Sequence, residues 1–173
     1  MPPGFRLGGF RCEPDGIEDE IGEYLADGDA ARDQEVGYSR TYLVRDDAFE
    51  VIAYFTLLAD AIRLDDGEAD STWAYRSAPC IKVARLGVRI DRRRRGIGER
   101  LLQLIRVHAF EIGERIGVRY LTLDAIGPRV GWYQKQGFVF TQLADQPSTE
   151  ADKANGDRGL DLGPISARPS LDS

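Results

Sequence analysis

Val88-Arg89-Ile90-Asp91-Arg92-Arg93-Arg94-Arg95-Gly96-Ile97-Gly98-Glu99 is the stretch on which the reading of this chain turns. Just before it, residues 80–90 alternate Ile81, Val83 and Arg85 with Lys82, Ala84 and Leu86, the period of a strand. Gly87 interrupts that pattern and predicts a bulge or a close backbone approach. Just after it, Leu101, Leu102, Ile105, Ala109 and Ile112 recur on one helical face. The longest helix is therefore predicted over residues 96–116, with Gly117 as the left-handed residue past its end. A strand runs into an arginine loop, and the loop opens a helix. The unpaired N–H groups of such a helix start can point at a phosphate, and the helix dipole favours negative charge there. Gly96 and Gly98 lack Cβ atoms, so a pyrophosphate can approach the backbone closely.

Charge points the same way. Between Lys82 and Arg95 there are seven basic residues and one acid, a net of +6 in a 173-residue chain whose total is −6. An acidic protein that concentrates positive charge in one short stretch is a candidate to hold an anion there. Three phosphate-loop readings compete. A Walker loop ends in Gly-Lys-Ser/Thr, which Gly98-Glu99-Arg100 does not supply. A dinucleotide fingerprint needs a third glycine where Leu101 stands, together with repeated βαβ units. The coenzyme A loop, Gln/Arg-x-x-Gly-x-Gly/Ala, fits residues 93–98 at every position. On local residues alone, a solvated arginine loop with a glycine-assisted helix start remains an open alternative.

Working outward, Asp15 with Glu18 three residues later reads as a capping box, and Ile17, Ile21, Tyr24 and Leu25 continue a short amphipathic helix to about Ala26. Residues 27–37 are polar and read as helix or loop. Residues 41–44 and 51–62 read as two strands of an antiparallel hairpin, with Asp46-Asp47 in the turn. Residues 63–78 form a connection without a readable pattern. Residues 118–123 are a strand separated from the 80–90 strand by one helix, a βαβ unit that predicts parallel neighbours. A short helix over 130–136 and a strand over 138–142 follow. Residues 144–158 read as a loop, 159–162 as a last strand, and the chain from Ser166 as loose tail.

The second constellation is Gly131-Trp132-Tyr133-Gln134-Lys135-Gln136-Gly137-Phe138. A tyrosine on a short helix, four residues before Gly-Phe enters a strand, places a phenol beside the ends of the preceding strands. A phenol with a pKa near 10 suits a general acid for a departing thiolate, whose own pKa is near 8.5. The plain alternative is a half-buried aromatic with its hydroxyl in water.

The order and separation of the two motifs resemble the GNAT (GCN5-related) N-acetyltransferase superfamily, over residues 41–142. More narrowly, residues 37–42, the 81–88 strand and Asp124-Ala125 resemble a bacterial branch that includes the tRNA-acetylating toxins of toxin–antitoxin modules. The resemblance implies an α/β (α+β) GNAT fold: a mixed central sheet of about six to seven strands, splayed between strands four and five and flanked by helices. It implies one acetyltransferase domain over residues 1–163, with a tail over 164–173. It implies acetyl-CoA as co-substrate, with Leu86, Gly87 and Val88 pairing with the pantetheine arm. Arg93, Arg94, Arg95, Gly96, Ile97, Gly98 and Glu99 would hold the pyrophosphate, and Tyr133 would protonate the leaving coenzyme A thiolate.

In such an enzyme an amine attacks the thioester directly, and a backbone N–H such as that of Val88 polarises the carbonyl. Cys12 and Cys80 are poorly placed for an acyl-enzyme route, and His108 falls inside the long helix, beyond reach of the chemistry. Asp124, at the end of its strand, is the nearest candidate base, with a loop-stabilising role as its alternative. The function expected is acetyl transfer to the amine of a small molecule or a protein. Acetylation of the α-amine of aminoacyl-tRNA is the alternative within that chemistry, ranked lower because RNA affinity rests on phosphate neutralisation and the chain is acidic. An acyl-CoA sensor without turnover is the alternative of another class. No metal site is expected, because the two cysteines and single histidine have no ligand spacing. No run reaches the roughly 18 apolar residues of a membrane span, and the N-terminus lacks the order of a signal peptide. A cytoplasmic protein, a candidate homodimer, is the resulting expectation.

Overall fold

In a computed structural model of the chain, the structure describes residues 6–14, 18–63, 75–125, 127–140 and, for the backbone, 158–161. The predicted connection over 63–78 lies mostly outside them, as do the loop after residue 140 and the tail. The chain forms two compact units, each drawing on both halves of the sequence. One comprises Met1–Ala59 and Lys82–Val107, the other Asp60–Ile81 and His108–Ser173.

The first unit opens with an extended segment that joins Arg6 to Glu50 in a parallel bridge. Helix α1 spans Glu20–Ala26 and α2 spans Asp29–Glu35. The expected cap at Asp15 is not where α1 begins: Asp19 caps it, its carboxylate accepting from the N–H groups of Gly22 (2.8 Å) and Cys12 (2.7 Å). The second of those bonds explains the choice, because it ties the helix start to the extended segment. The polar stretch 27–37 resolves as α2, which ends in a left-handed Gly37 with Tyr38 N–H donating to the Asp33 carbonyl. Strands β1 (Arg40–Arg45) and β2 (Val51–Arg63) pair antiparallel, from Arg40 opposite Leu57 to Arg45 opposite Val51, as the hairpin reading expects. Asp46 holds their turn, its side chain accepting from Ala48 and Glu50 N–H.

Val51 and residues 53–57 of β2 are all buried, the pattern of a strand covered on both faces. Phe10, Cys12, Leu25, Ala30, Val51 and Tyr54 form the core of this unit. Tyr54 is fully enclosed, edge-on to Phe10, stacked on Tyr24, and donates its hydroxyl hydrogen to the Ile21 carbonyl. Strand β3 (Ser77–Val88) lies beside β2, and helix α3 (Ile97–Gly113) buries Leu101, Leu102 and Ile105. The helix stops four residues before the predicted Gly117, which is not left-handed. Its last turn relaxes through bonds from Arg115 and Ile116 N–H to the Ile112 carbonyl.

The second unit holds β4 (Tyr120–Ala125), α4 (Gly127–Lys135), β5 (Val139–Phe140) and β6 (Arg158–Asp161). The strand order here is β3-β4-β6-β5, with β6 antiparallel to both β4 and β5. The Thr122 hydroxyl donates to Cys80 Sγ and Arg119 N–H donates to the Pro79 carbonyl, so the start of β3 lies against β4 as the βαβ reading expects. Strand β5 begins one residue later than expected and β6 one residue earlier; residues 141, 142 and 162 of the two expected strands lie outside the described residues. The architecture is mixed α+β, with six strands among the described residues.

Candidate functional site

The arginine loop begins where β3 gives way to a 3₁₀ turn over Ile90–Arg92. Arg93 is extended, Arg94 has a φ of 60°, and Gly96 has a φ of 73°. Gly96 accepts the first helical bond, from Arg100 N–H at 3.1 Å, and so caps α3. A side chain at Gly96 would meet open space, so glycine is required there by its left-handed backbone rather than by crowding. The N–H groups of Ile97, Gly98 and Glu99 lie in the first turn and have no partner within the helix. The Glu99 carboxylate would repel a phosphate, so Glu99 can contribute only through its backbone.

The arginines divide into two sets. Arg89 is 8% exposed and forms a two-bond fork with Asp91 (2.7 and 3.0 Å) and a further bond to Glu50 at 2.9 Å. Arg92 pairs with Asp46 at 3.0 Å, and Arg93 pairs with Glu13 at 2.9 Å. Arg94 and Arg95 are exposed and have no carboxylate partner among the described residues. The +6 stretch is thus partly neutralised in the fold: of its five arginines from Arg89 to Arg95, three shape the loop and two are exposed. The hydrogen bonds that Arg89 donates to Asp91 and Glu50 hold its guanidinium firmly charged, and those to Asp91 hold that carboxyl below its ordinary range. As partners of the arginines, Glu13, Asp46 and Glu50 carried no signal in the sequence. Their partners lie 80, 46 and 39 residues away, and no local pattern reports such a pairing.

Leu86 and Val88 are half-buried on β3, with Gly87 buried between them. The interruption at Gly87 is a close approach: an added Cβ would stand 2.6 Å from Tyr54 Cε1, 2.9 Å from Cys12 Sγ and 3.0 Å from Ile21 Cγ2. Cys12 therefore lies against the central strand, but in the core, where its thiol packs.

In the second unit, the Tyr-x-x-x-Gly-Phe motif resolves into one capping structure. Gly137 has a φ of 88°, its N–H donates to the Gln134 carbonyl at 2.9 Å, and Phe138 N–H donates to the Tyr133 carbonyl at 3.2 Å. These are the two bonds of a Schellman motif, and its hydrophobic contact is the edge-on Tyr133–Phe138 pair, 5.6 Å between centroids. Trp132 lies 4.8 Å from Tyr133 on the same helix. The spacing of the motif is thus the spacing required to pin Tyr133 against a buried Phe138. Burial pushes the Tyr133 phenol up to about 12, against a smaller opposing pull from Arg129. The phenol keeps its proton at neutral pH, and its hydroxyl makes no hydrogen bond among the described residues. Asp124 is exposed on β4, opposite Gly159 of β6. His108 sits on α3, 3.5 Å from Glu111. Among the described residues there is no cluster of three or more metal-ligating side chains, and no helix is long and apolar enough to cross a membrane.

A mixed α+β fold, a glycine-capped helix start whose first N–H groups have no partner within the helix and a pinned tyrosine are parts that an acyltransferase can use. Residues 24–140 match the model of the acetyltransferase (GNAT) domain, and the chain belongs to that family. The fold is also that of several solved structures. A bacterial toxin matches with a TM-score of 0.72 at 18% identity, over 94% of this chain and 84% of that one. AtaT complexed with acetyl-methionyl-tRNAfMet matches at 0.73 and 16% identity, over 92% and 88%. AtaTR bound with AcCoA matches at 0.70 and 16% identity, over 95% and 89%. At these identities the likeness is one of fold. A comparison with curated protein sequences gives no match.

Proposed function

We propose that this protein transfers acetyl from acetyl-CoA to the amine of a small molecule or a protein. The observation that carries the reading is Tyr133, a phenol pinned by a capping motif against Phe138 and protonated at neutral pH, in a chain of the acetyltransferase (GNAT) family. The loop fits the co-substrate on its own geometry. Its helix start supplies N–H groups from Ile97, Gly98 and Glu99, Gly96 leaves room at the backbone, and Arg94 and Arg95 supply charge. Leu86, Gly87 and Val88 supply strand backbone for the pantetheine amides, and the Val88 N–H is the donor assigned to the thioester carbonyl.

The reaction needs no acyl-enzyme. The neutral amine attacks the carbonyl carbon, a C–N bond forms, and collapse of the tetrahedral adduct breaks the C–S bond. The electron pair leaves with sulfur, and Tyr133 delivers the proton that makes it a thiol. The attacking nitrogen gives up its proton to water or to Asp124, an exposed carboxylate within reach of solvent.

A second reading, aminoacyl-tRNA as the acceptor, is favoured by the structural likeness to AtaT complexed with acetyl-methionyl-tRNAfMet. Against it stand the net charge of −6 and the neutralisation of Arg89, Arg92 and Arg93 within the fold. Transfer of labelled acetyl from acetyl-CoA into a host extract, fractionated into RNA, protein and small molecules, decides. Label in protein or small molecules supports the first reading. Label in RNA, released by mild ester hydrolysis, replaces it with the second. Acetyl-CoA binding without label in any fraction would make the protein a sensor.

A further inference from the structure

We infer that Arg89, with Glu50 and Asp91, is a positioning clamp that sets the shape of the phosphate loop and so the affinity for acetyl-CoA, without touching the co-substrate. The inference rests on the proposed function, and it adds residues that no motif singles out. Arg89 stands at the last point where β3 is still anchored, its N–H donating to the Ile52 carbonyl of β2 at 2.9 Å. From there its side chain turns back and binds both oxygens of Asp91, across the 3₁₀ turn. Its remaining terminal nitrogen reaches Glu50, one residue before β2 begins.

One buried guanidinium thus ties the outgoing strand, the turn and the end of the β1–β2 hairpin. Ile90 N–H, donating to the Arg11 carbonyl, adds the extended N-terminal segment to the same knot. Arg94 follows within a few residues in a left-handed conformation, which a non-glycine residue keeps only where its surroundings impose it. Holding the 3₁₀ turn is therefore what aims the N–H groups of Ile97, Gly98 and Glu99. An ammonium cannot replace this fork, because lysine offers a single charged point where arginine offers a planar set of donors.

The test is Arg89→Lys and Glu50→Gln, each measured for acetyl-CoA affinity by calorimetry, for KM and kcat, and for thermal midpoint. The expected result is an acetyl-CoA KM and Kd raised on the order of tenfold in Arg89→Lys and several-fold in Glu50→Gln, with kcat held within about twofold. Glu50→Gln keeps the test informative if the lysine variant does not fold, since Glu50 is 39% exposed and its amide remains an acceptor. The double variant should lose no more affinity than Arg89→Lys alone, because both changes break one unit. Unchanged KM and Kd in folded variants, or a loss confined to thermal midpoint, overturns the clamp while leaving the acetyltransferase reading intact. A wild-type protein that does not bind acetyl-CoA overturns both.

Discussion

Tyr133 shows how a residue-scale motif carries structure and, under the proposed function, chemistry with it. The glycine four residues on is left-handed, the phenylalanine after it is buried, and between them they fix the half-buried ring. Tyr133→Phe removes one oxygen and keeps those contacts. It should cut turnover on the order of 10²-fold or more while acetyl-CoA affinity stays unchanged, as stopped-time transfer assays and calorimetry would show. Equal turnover in the variant removes Tyr133 as the acid. Because the acid's pKa is pushed up to about 12, kcat/KM should show no alkaline loss from this group until the pH nears that value. An alkaline limb near pH 8 that vanishes in Tyr133→Phe would keep Tyr133 as the acid and overturn its raised pKa. Gly87 was legible as a bulge or a close approach, and the structure decides for the second, since the sequence shows that a side chain is missing but not what fills the space. Tyr54, Cys12 and Ile21 fill it, and Gly87→Ala should cost about 1–3 kcal/mol in chemical denaturation, the crowding outweighing the smaller gain from a more restricted unfolded backbone.

At the scale of elements, sequence reading succeeded where period and composition decide, and failed where a distant partner decides. The hairpin, the long helix and the strand–helix–strand order follow from patterns that a window of a dozen residues contains. The start of α1 does not. Asp15 and Asp19 are equally good caps locally, and Asp19 prevails because its second oxygen takes the Cys12 N–H. Gly22 completes that choice, since a Cβ there would stand 2.3 Å from the Asp19 carboxylate. The arginine loop is the larger case: its charge was legible, but its partition between ion pairs within the fold and exposed side chains was not. Asp91 makes that partition measurable by pH. Its folded-state pKa is depressed, chiefly by the Arg89 hydrogen bonds. Its contribution is therefore present above the unfolded value of about 3.9 and lost as pH falls through the folded value. The thermal midpoint of the wild type should fall below about pH 4, and Asp91→Asn should show a shallower fall. Parallel curves would mean that the pair contributes nothing.

For the whole molecule the open quantity is the acceptor, and charge bears on it through what the fold leaves uncommitted. The sequence concentrates +6 between Lys82 and Arg95, which taken alone resembles a surface for a polyanion. Arg89, Arg92 and Arg93 spend their charge on Asp91, Glu50, Asp46 and Glu13, which leaves Arg94 and Arg95 facing outward from the loop itself. Two arginines neutralise about two phosphates, so RNA bound through this loop should show a logarithmic salt slope no steeper than about −2. The same two arginines are the ones assigned to the coenzyme, so acetyl-CoA should compete with any RNA held there. Fluorescence anisotropy with deacylated tRNA, titrated over a range of salt with and without acetyl-CoA, tests both statements. A shallow slope abolished by acetyl-CoA agrees with a small-molecule or protein acceptor, and Arg94→Ala with Arg95→Ala should then remove the association. A steep slope that persists with acetyl-CoA bound requires an RNA surface outside the loop. That result would move aminoacyl-tRNA ahead of the other acceptors, because the co-substrate and the nucleic acid would then be held at the same time by different charges.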